Sequence, residues 1–296
     1  MQILKPLAFP TIWGGTRLLP FVENYQENNI GQLYTASSVK GKSNEIINGE
    51  YKGKTFYDYY QKVKDKYGYI YDEYPLLIAL VDAKENLSVQ VHPSDFYAKC
   101  LENLPFGKIE SWYFLEEPDS KSITNGSKCK NKQELIDKVS KREFENIIDT
   151  LAVKKDDYVF VEARTLHALN AGSMVYEIQE NSDLTYRFYD YNRKDSEGNF
   201  RELHLEKAKQ VVDVSLKSKA KSFLGNEITE KKYVTKRVES NKYQNMSNNI
   251  EIITIFSGTS LLMDCFVQKG MSIVLEPQEK IDFDEVISAG VVRYII

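Results

Sequence analysis

Alternation of apolar and polar residues in short runs is the feature that most constrains the fold of this 296-residue chain. In the run LSVQVHP, residues 87–93, apolar residues alternate with Ser88, Gln90 and His92. Successive side chains of a β-strand point to opposite faces, so one face of this strand can pack in a core while the other presents polar groups. Comparable β-rich runs are found at 76–83, 108–116, 157–163, 173–180 and 184–191. The chain is therefore predicted to be mainly β.

Helical segments are predicted between the strands. The strongest candidate is 131–151, where Asn131 can cap the helix and Glu134 stands three residues later. Two further candidates are 53–67 and 200–213.

The C-terminal part of the chain has a different character. Residues 215–232 are polar and rich in lysine, which is typical of a linker. Residues 250–296 contain short apolar runs with turn residues between them, a pattern that indicates a small sandwich or barrel. We therefore predict a first domain over residues 1–215 and a second, smaller β domain over residues 216–296.

Composition narrows the classes of partner. The formal net charge of −4 gives no electrostatic reason to expect DNA, RNA or an anionic membrane as a partner. Cys100, Cys129 and Cys265 are an odd number without C-x-x-C spacing, which favours a reducing compartment over a disulfide framework. No run approaches the ~20 apolar residues of a membrane helix, and the N-terminus lacks the pattern of a signal peptide. The expected location is therefore the cytoplasm.

Two predicted strands carry residues that could bind a metal ion. His92 and His167 are two of only three histidines in the chain, and Glu110 shares a strand face with Lys108. Two imidazoles and a carboxylate suit a divalent cation such as zinc, and Gln90 can add an amide oxygen. Spacing alone leaves the ordinary alternative open, in which the polar faces meet solvent and the histidines are satisfied within a core.

Later strands continue the pattern of polar faces. Glu177 and Gln179 lie two residues apart and share one face, and Arg187 lies on the polar face of the next strand. The mouth of a barrel lined by such groups would form a binding site. His204 lies in a helical run and is interpreted as a structural residue.

Longer segments of the chain resemble the type I mannose-6-phosphate isomerases (phosphomannose isomerases) in their short bacterial form. The two most specific segments are QVHP (90–93) and QENSDLTYRFYDY (179–191). The matching segments follow one another in order over nearly the whole chain: WGG (13–15), NGEYKGKT (48–55), LSVQVHPSDFYA (87–98), GKIESWYFLE (107–116), TLHAL (165–169), YEIQENSDLTYRFYDYNR (176–193) and RELHLEKA (201–208).

The resemblance implies both a fold and a site. The implied fold is a cupin jelly-roll barrel with helical insertions and a second, smaller, cupin-like β domain. One zinc ion per chain is implied, with the ligands Gln90, His92, Glu110 and His167. The resemblance also points to Arg187 as a catalytic residue and to three residues that line the sugar-phosphate site: Ser88, Lys108 and Glu177.

The implied reaction interconverts mannose 6-phosphate and fructose 6-phosphate through an enediolate. Arg187, and similarly Lys108, stays protonated and can stabilise the enediolate or bind the phosphate. Glu177 is the candidate general base because of its place on the site face, with a metal-held water as the alternative. The expected partner is therefore the sugar phosphate, and the expected assembly is a monomer or a homodimer.

The chain departs from the family pattern at two places. Gln32 and Tyr34 stand where the family usually has Glu and Trp, and Glu162-Ala163-Arg164 stands where the family has Pro-Ala-Gly. Arg164 is expected to be a solvated loop residue. Two rival functions stay open: a non-catalytic sugar-phosphate or metal-binding cupin, and a cupin non-haem iron oxygenase, which uses the same ligand types.

Overall fold

The computed structural model describes residues 1–195, 197–223, 225 and 227–296. In chain order, its strands are β1 (Gln2–Leu4), β2 (Leu7–Phe9), β3 (Gln32–Ala36), β4 (Ser38–Val39), β5 (Lys42–Ser43), β6 (Leu76–Asp82), β7 (Val89–Val91), β8 (Glu110–Glu116), β9 (Ser122–Ser127), β10 (Ile148–Ala152), β11 (Asp157–Val161), β12 (His167–Ala168), β13 (Met174–Glu180), β14 (Tyr186–Tyr189), β15 (Ala220–Ser222), β16 (Ile228–Thr229), β17 (Tyr233–Gln244), β18 (Glu251–Ser257), β19 (Ser260–Leu262), β20 (Cys265–Val267), β21 (Ser272–Leu275) and β22 (Lys280–Tyr294). Its α-helices are α1 (Phe56–Val63), α2 (Asp95–Glu102), α3 (Lys132–Ser140) and α4 (Leu205–Val211). The prediction of a mainly β fold is confirmed.

The backbone of the described residues divides into two compact units. The first unit comprises residues 1–10, 16–80 and 223–296, and the second comprises residues 11–15 and 81–222. Most of the first 80 residues therefore group with the C-terminal segment, which the predicted boundary between residues 215 and 216 does not anticipate. The assignment of a catalytic domain to residues 1–215 and of a second domain to residues 216–296 stays a prediction.

The first unit contains a sheet with the strand order β1-β21-β18-β22-β17-β16. β17 and β22 pair over their whole lengths, from Tyr233 opposite Tyr294 to Gln244 opposite Lys280. These strands are longer than the short strands predicted here, because the pairing resumes after an irregularity between residues 240 and 242. Branched apolar side chains fill the core beneath the sheet: Ile3, Ile253, Ile255, Ile273, Ile287 and Val291.

Two of the helices begin at capping residues, of which Asn131 was predicted and Thr55 was not. The Thr55 hydroxyl accepts the Asp58 N–H, and the Asp58 carboxylate accepts the Thr55 N–H, which together form a capping box at the start of α1. The Asn131 side chain accepts the Glu134 N–H at 2.9 Å at the start of α3. Among the described residues, no helix has the length and apolar character needed to cross a lipid bilayer.

The helix predicted over 131–151 is wrong beyond Ser140. Arg142 has a φ of 60°, which is incompatible with a continuing right-handed helix. Residues 148–152 instead form β10, which pairs with β9. Pairing between strands therefore overrides the helical spacing of apolar residues in this segment.

Two other helix boundaries also differ from the prediction. The helix predicted over 200–213 is confined to α4, and the one predicted over 53–67 consists of α1 followed by a 3-10 turn at Asp65–Tyr67. Helix α2 was not predicted. Boundaries are poorly specified by periodicity, because residues next to a helix can share its spacing without its hydrogen bonds.

The second unit contains two groups of paired strands. One has the order β10-β9-β12-β7-β14, and the other has the order β15-β11-β8-β13. Apolar side chains from both groups, including Trp112, Phe114, Ile123 and Val159, form one buried cluster. Val89 and Val91 of β7 pack into a second cluster, so the apolar face predicted for this strand is confirmed.

Part of the predicted linker is paired strand. β15 pairs with β11, with Ser222 opposite Asp157, and β16 pairs with β17. The linker prediction is wrong for these residues, because their backbone N–H and C=O groups take part in sheet hydrogen bonding. Leu224 and Asn226 of the same segment lie outside the described residues.

Candidate active site

Three predicted metal ligands meet in the second unit. His92 follows β7 directly, Glu110 begins β8 and His167 begins β12, and all three side chains are buried. His92 Nε2 lies 3.2 Å from Glu110 Oε2, and His167 Nε2 lies 3.1 Å from Glu110 Oε1. Their candidate ligand atoms lie within 4.8 Å of one another. The residues that were predicted to converge therefore do so.

Strand register aligns further predicted residues with this cluster. Gln90 of β7 is directly opposite His167 on β12 and opposite Arg187 on β14. Side chains of directly opposed residues in antiparallel strands project from the same face of the sheet. Arg187, Gln90 and His167 thus form one polar row across three strands.

The backbone selects the tautomer of both histidines. His92 Nδ1 lies 2.8 Å from the Leu184 carbonyl oxygen, and His167 Nδ1 lies 2.8 Å from the Thr165 carbonyl oxygen. A carbonyl oxygen only accepts hydrogen bonds, so Nδ1 is the donor in each ring. Burial lowers the pKa of His92 to about 4, which keeps its ring neutral near pH 7. In the neutral ring, Nε2 carries a lone pair directed toward Glu110.

These groups fit a divalent cation. His92 Nε2 and both carboxylate oxygens of Glu110 are buried and form no hydrogen bond of good geometry among the residues that the structure describes. An imidazole lone pair and a carboxylate oxygen at 3.2 Å repel each other unless a positive charge lies between them. Two imidazole nitrogens and a carboxylate are a ligand set found in open zinc sites.

Gln90 is the fourth predicted ligand. Its side-chain amide nitrogen lies 3.5 Å from His167 Nε2. Because the nitrogen and oxygen of an amide are assigned from their surroundings, a cation in the cluster would favour the orientation that presents the oxygen. The position of Gln90 therefore suits the predicted role.

Lys108 supplies a positive charge beside the cluster. Its Nζ lies 3.1 Å from Glu110 Oε2. Burial alone would raise the pKa of Glu110 and lower that of Lys108. The ion pair outweighs burial: it holds the pKa of Glu110 well below its usual value and raises the pKa of Lys108. Gly107, just before Lys108, allows the backbone to approach Pro93 closely, since a Cβ at residue 107 would lie 2.2 Å from the Pro93 carbonyl oxygen.

Glu177 lies on β13, opposite Trp112 of β8. Trp112 Nε1 donates a hydrogen bond of 2.9 Å to Glu177 Oε1. Burial, with a smaller contribution from the charge on Glu110, raises the pKa of Glu177 to about 7. A carboxyl group with this pKa can exchange a proton near neutral pH, which a general base requires.

Arg187 is held by its own backbone neighbours. Its Nη1 donates a hydrogen bond of 2.8 Å to the Glu202 carbonyl oxygen. Its Nε is buried and makes no hydrogen bond with any described residue, so this donor is available to an anionic group. Ser88, the remaining predicted substrate-binding residue, is buried immediately before β7.

Arg164 lies in a loop but is not merely solvated, contrary to expectation. Its φ is 76°, the left-handed conformation that glycine adopts most readily. Its backbone N–H donates to the His92 carbonyl oxygen at 2.7 Å. Its guanidinium lies 3.1 Å from Asp213 Oδ2 and donates to the Val211 carbonyl oxygen at 3.1 Å. These contacts stabilise a turn that has neither proline nor glycine.

Two further residues lie near these groups: Gln179, to which sequence reasoning gave no role of its own, and His204. Gln179 is buried directly opposite Glu110, and its pairing could be found only from the register of β8 and β13. His204 Nδ1 accepts the Arg187 N–H at 3.0 Å, which agrees with its interpretation as a structural residue.

Comparisons with known proteins give the family of the chain. Residues 10–113 match the family model described as phosphomannose isomerase type I, catalytic domain. The chain is 37% identical over 211 residues to the mannose-6-phosphate isomerase ManA of Bacillus subtilis (strain 168), covering 71% of this chain and 67% of that protein. It is 34% identical over 205 residues to the mannose-6-phosphate isomerase of Streptococcus mutans, covering 69% of this chain and 65% of that protein.

A solved structure extends the similarity to the fold. The crystal structure of the mannose 6-phosphate isomerase from Bacillus subtilis superposes with a TM-score of 0.83 and 29% identity, covering 99% of each chain. The fold and the cluster define a cupin with a candidate metal site. The chain belongs to the type I phosphomannose isomerase family. The predictions of the family, of the enzyme class and of the cupin fold are confirmed.

The cluster predicts how metal binding responds to substitution. We expect His92→Ala and His167→Ala each to lose the metal, because an open site has few ligands to spare. His204→Ala is the matched control, since it removes the third histidine and leaves the cluster intact. Elemental analysis of the purified variants gives the metal content per chain. Retention of a full equivalent by either cluster variant would show that its histidine is not a ligand.

Proposed function

We propose that this protein interconverts mannose 6-phosphate and fructose 6-phosphate, with one zinc ion held by Gln90, His92, Glu110 and His167. The observation that carries the proposal is the buried Glu110 carboxylate, which faces the Nε2 atoms of two histidines in a member of this family. The relatives named above are mannose-6-phosphate isomerases, which supports the choice of substrate.

The reaction moves two hydrogens within the sugar phosphate, one between the carbons C2 and C1 and one between their oxygens. Removal of the C2 proton from the open-chain aldose gives an enediolate, whose negative charge is carried by the oxygens of C1 and C2. Return of a proton to C1, together with transfer of the proton on the C2 oxygen to the C1 oxygen, forms the ketose. A bound zinc ion supplies a Lewis acid that lowers the free energy of this developing charge.

Glu177 is proposed as the general base. Its raised pKa of about 7 lets the carboxylate accept the C2 proton and the resulting carboxyl group return it to C1. The Trp112 N–H holds one oxygen of the carboxyl group, which fixes its orientation and leaves the other oxygen for the proton.

Arg187, Lys108 and Ser88 are proposed to bind the anionic substrate. The buried Arg187 Nε can donate to a phosphate or an enediolate oxygen, as can the ammonium of Lys108. Ser88 can donate its hydroxyl hydrogen to the phosphate. These donors are fixed by the fold before substrate binds, which reduces the reorganisation that the reaction requires.

The setting of the reaction is also part of the proposal. A small anionic sugar phosphate, rather than a nucleic acid or a membrane, is the proposed partner of this mildly acidic chain of net charge −4. The proposed location is the cytoplasm, and the proposed assembly is a monomer or a homodimer.

A coupled assay with mannose 6-phosphate tests the proposed activity. We expect turnover by the zinc-loaded protein, loss of turnover on removal of the metal with a chelator, and recovery when zinc is added back. The assay is run without oxygen, because isomerisation needs no oxidant and an iron oxygenase would be inactive. Binding of mannose 6-phosphate without turnover would favour the non-catalytic alternative.

Substitution of Arg187 separates catalysis from metal binding. We expect Arg187→Ala to retain about one zinc per chain and to lower turnover by at least ~100-fold, the usual scale for a group that stabilises developing charge. Arg187→Lys keeps the charge but loses the forked donor, so its turnover should lie between those of the wild-type protein and Arg187→Ala. Near-normal turnover of Arg187→Ala would remove this residue from the mechanism.

The raised pKa of Glu177 predicts the pH dependence. The base must be ionised, so kcat/KM should fall as the pH decreases through the pKa of Glu177. A bound cation favours the carboxylate, so this limb should lie between the ordinary glutamate pKa and about 7. Glu177→Gln should abolish the limb and lower turnover by ~100-fold or more.

The exposed Glu206 provides a control for this experiment. Glu206→Gln removes a carboxylate from α4 and should leave both the pH profile and turnover unchanged. An acid limb that persists in a catalytically active Glu177→Gln variant would assign the limb to another group.

A further inference from the structure

Gln179 occupies a position beside the candidate metal cluster. It lies on β13 directly opposite Glu110 of β8, so the two side chains project from the same face. Glu177 lies two residues earlier on the same strand and face, about 7 Å away along the backbone. Gln179 therefore lies next to both a candidate metal ligand and the proposed general base.

The side-chain oxygen of Gln179 is a buried acceptor to which no described residue donates. Gln179 is 4% exposed, and its Oε1 makes no hydrogen bond with the part of the chain that the structure describes. The large majority of buried side-chain polar atoms in proteins are hydrogen-bonded, so each exception calls for a physical explanation. Glu110 stands directly opposite Gln179 in the register and Glu177 two residues earlier on its strand, and a carboxylate at either position only accepts hydrogen bonds.

A sugar phosphate brings the missing donors. Its carbon chain carries several hydroxyl groups, each of which can donate to an amide oxygen. A buried acceptor that is satisfied only by the correct substrate also discriminates against analogues that lack the hydroxyl, because the acceptor is then left unpaired.

We infer that Gln179 is a substrate-binding residue whose side-chain amide accepts a hydrogen bond from a hydroxyl group of the sugar phosphate. This inference rests on the proposed function, since it requires a polyhydroxylated substrate at this site. It assigns Gln179 neither to the metal nor to the transfer of the proton.

Gln179→Met tests the inference. Methionine has a similar length and volume but no amide, so the variant removes the unpaired acceptor without opening a large cavity. We expect one zinc per chain, an unchanged or higher melting temperature, and a decrease of about tenfold in kcat/KM for mannose 6-phosphate. A kcat/KM within twofold of the wild-type value would overturn the inference. Loss of zinc or a lower melting temperature would overturn it as well, because either would indicate a metal-binding or structural role.

Gln2→Met is the matched control. Gln2, in the first unit, also has a buried side-chain oxygen that makes no hydrogen bond with the described residues. Its substitution should leave kcat/KM unchanged. An equal decrease in both variants would overturn the inference, since it would reflect a general effect of removing such an amide.

Deoxy analogues of the substrate identify the hydrogen bond itself. Calorimetry compares the binding of mannose 6-phosphate, and of analogues that each lack one hydroxyl group, to the wild-type protein and to Gln179→Met. One analogue should bind equally to both proteins, because the partner hydroxyl is already absent. A tenfold difference in Kd between the wild-type protein and Gln179→Met that persists for every analogue would overturn the inference.

These measurements separate the inference from the proposed function. A wild-type protein that neither binds nor converts mannose 6-phosphate would contradict the proposed function. A wild-type protein that does both, with Gln179→Met indistinguishable from it, would contradict the role of Gln179 alone.

Discussion

The buried carboxylate of Glu110 is the group on which the candidate site depends. It is faced by the Nε2 atoms of His92 and His167 and by the ammonium of Lys108, all within 3.2 Å. A carboxylate removed from water is costly unless positive charge and hydrogen bonds replace its hydration. Lys108 supplies one positive charge, and a divalent cation bound between the carboxylate and the imidazoles would supply the rest. Although burial opposes it, the ion pair with Lys108 holds the pKa of Glu110 well below its usual value, whereas burial dominates at Glu177 and raises its pKa.

The backbone around the site fixes these groups before any ligand binds. Carbonyl oxygens of Leu184 and Thr165 orient the two imidazoles, an arrangement that typically supports metal-binding histidines. The turn at Arg164 is hydrogen-bonded to the backbone of His92 and thereby links the segments that carry both histidines. The proposed chemistry therefore relies on side chains whose orientations are set by strand register and by short turns.

Local alternation was enough to predict the polar faces but not their convergence. The period-two pattern placed Gln90 and His92 on one face, because the face of a strand residue is determined by its position relative to its neighbours in the sequence. The approach of Glu110 to His167 depends on pairing between segments far apart in the chain, which spacing does not specify, and the family resemblance supplied that step. The contacts of Arg164 and the early end of α3 could not be predicted, because each depends on tertiary partners. The unpaired oxygen of Gln179 likewise becomes visible only in the folded chain.

Anomalous X-ray diffraction from zinc-soaked crystals, recorded on both sides of the zinc absorption edge, tests the central claim most directly. The account predicts one strong peak at bonding distance from Nε2 of both histidines and from the Glu110 carboxylate, about 2.0–2.2 Å. Gln90 should turn its amide oxygen toward the same peak. A map without a peak among these three residues, in crystals where zinc binds elsewhere on the protein, would contradict the account.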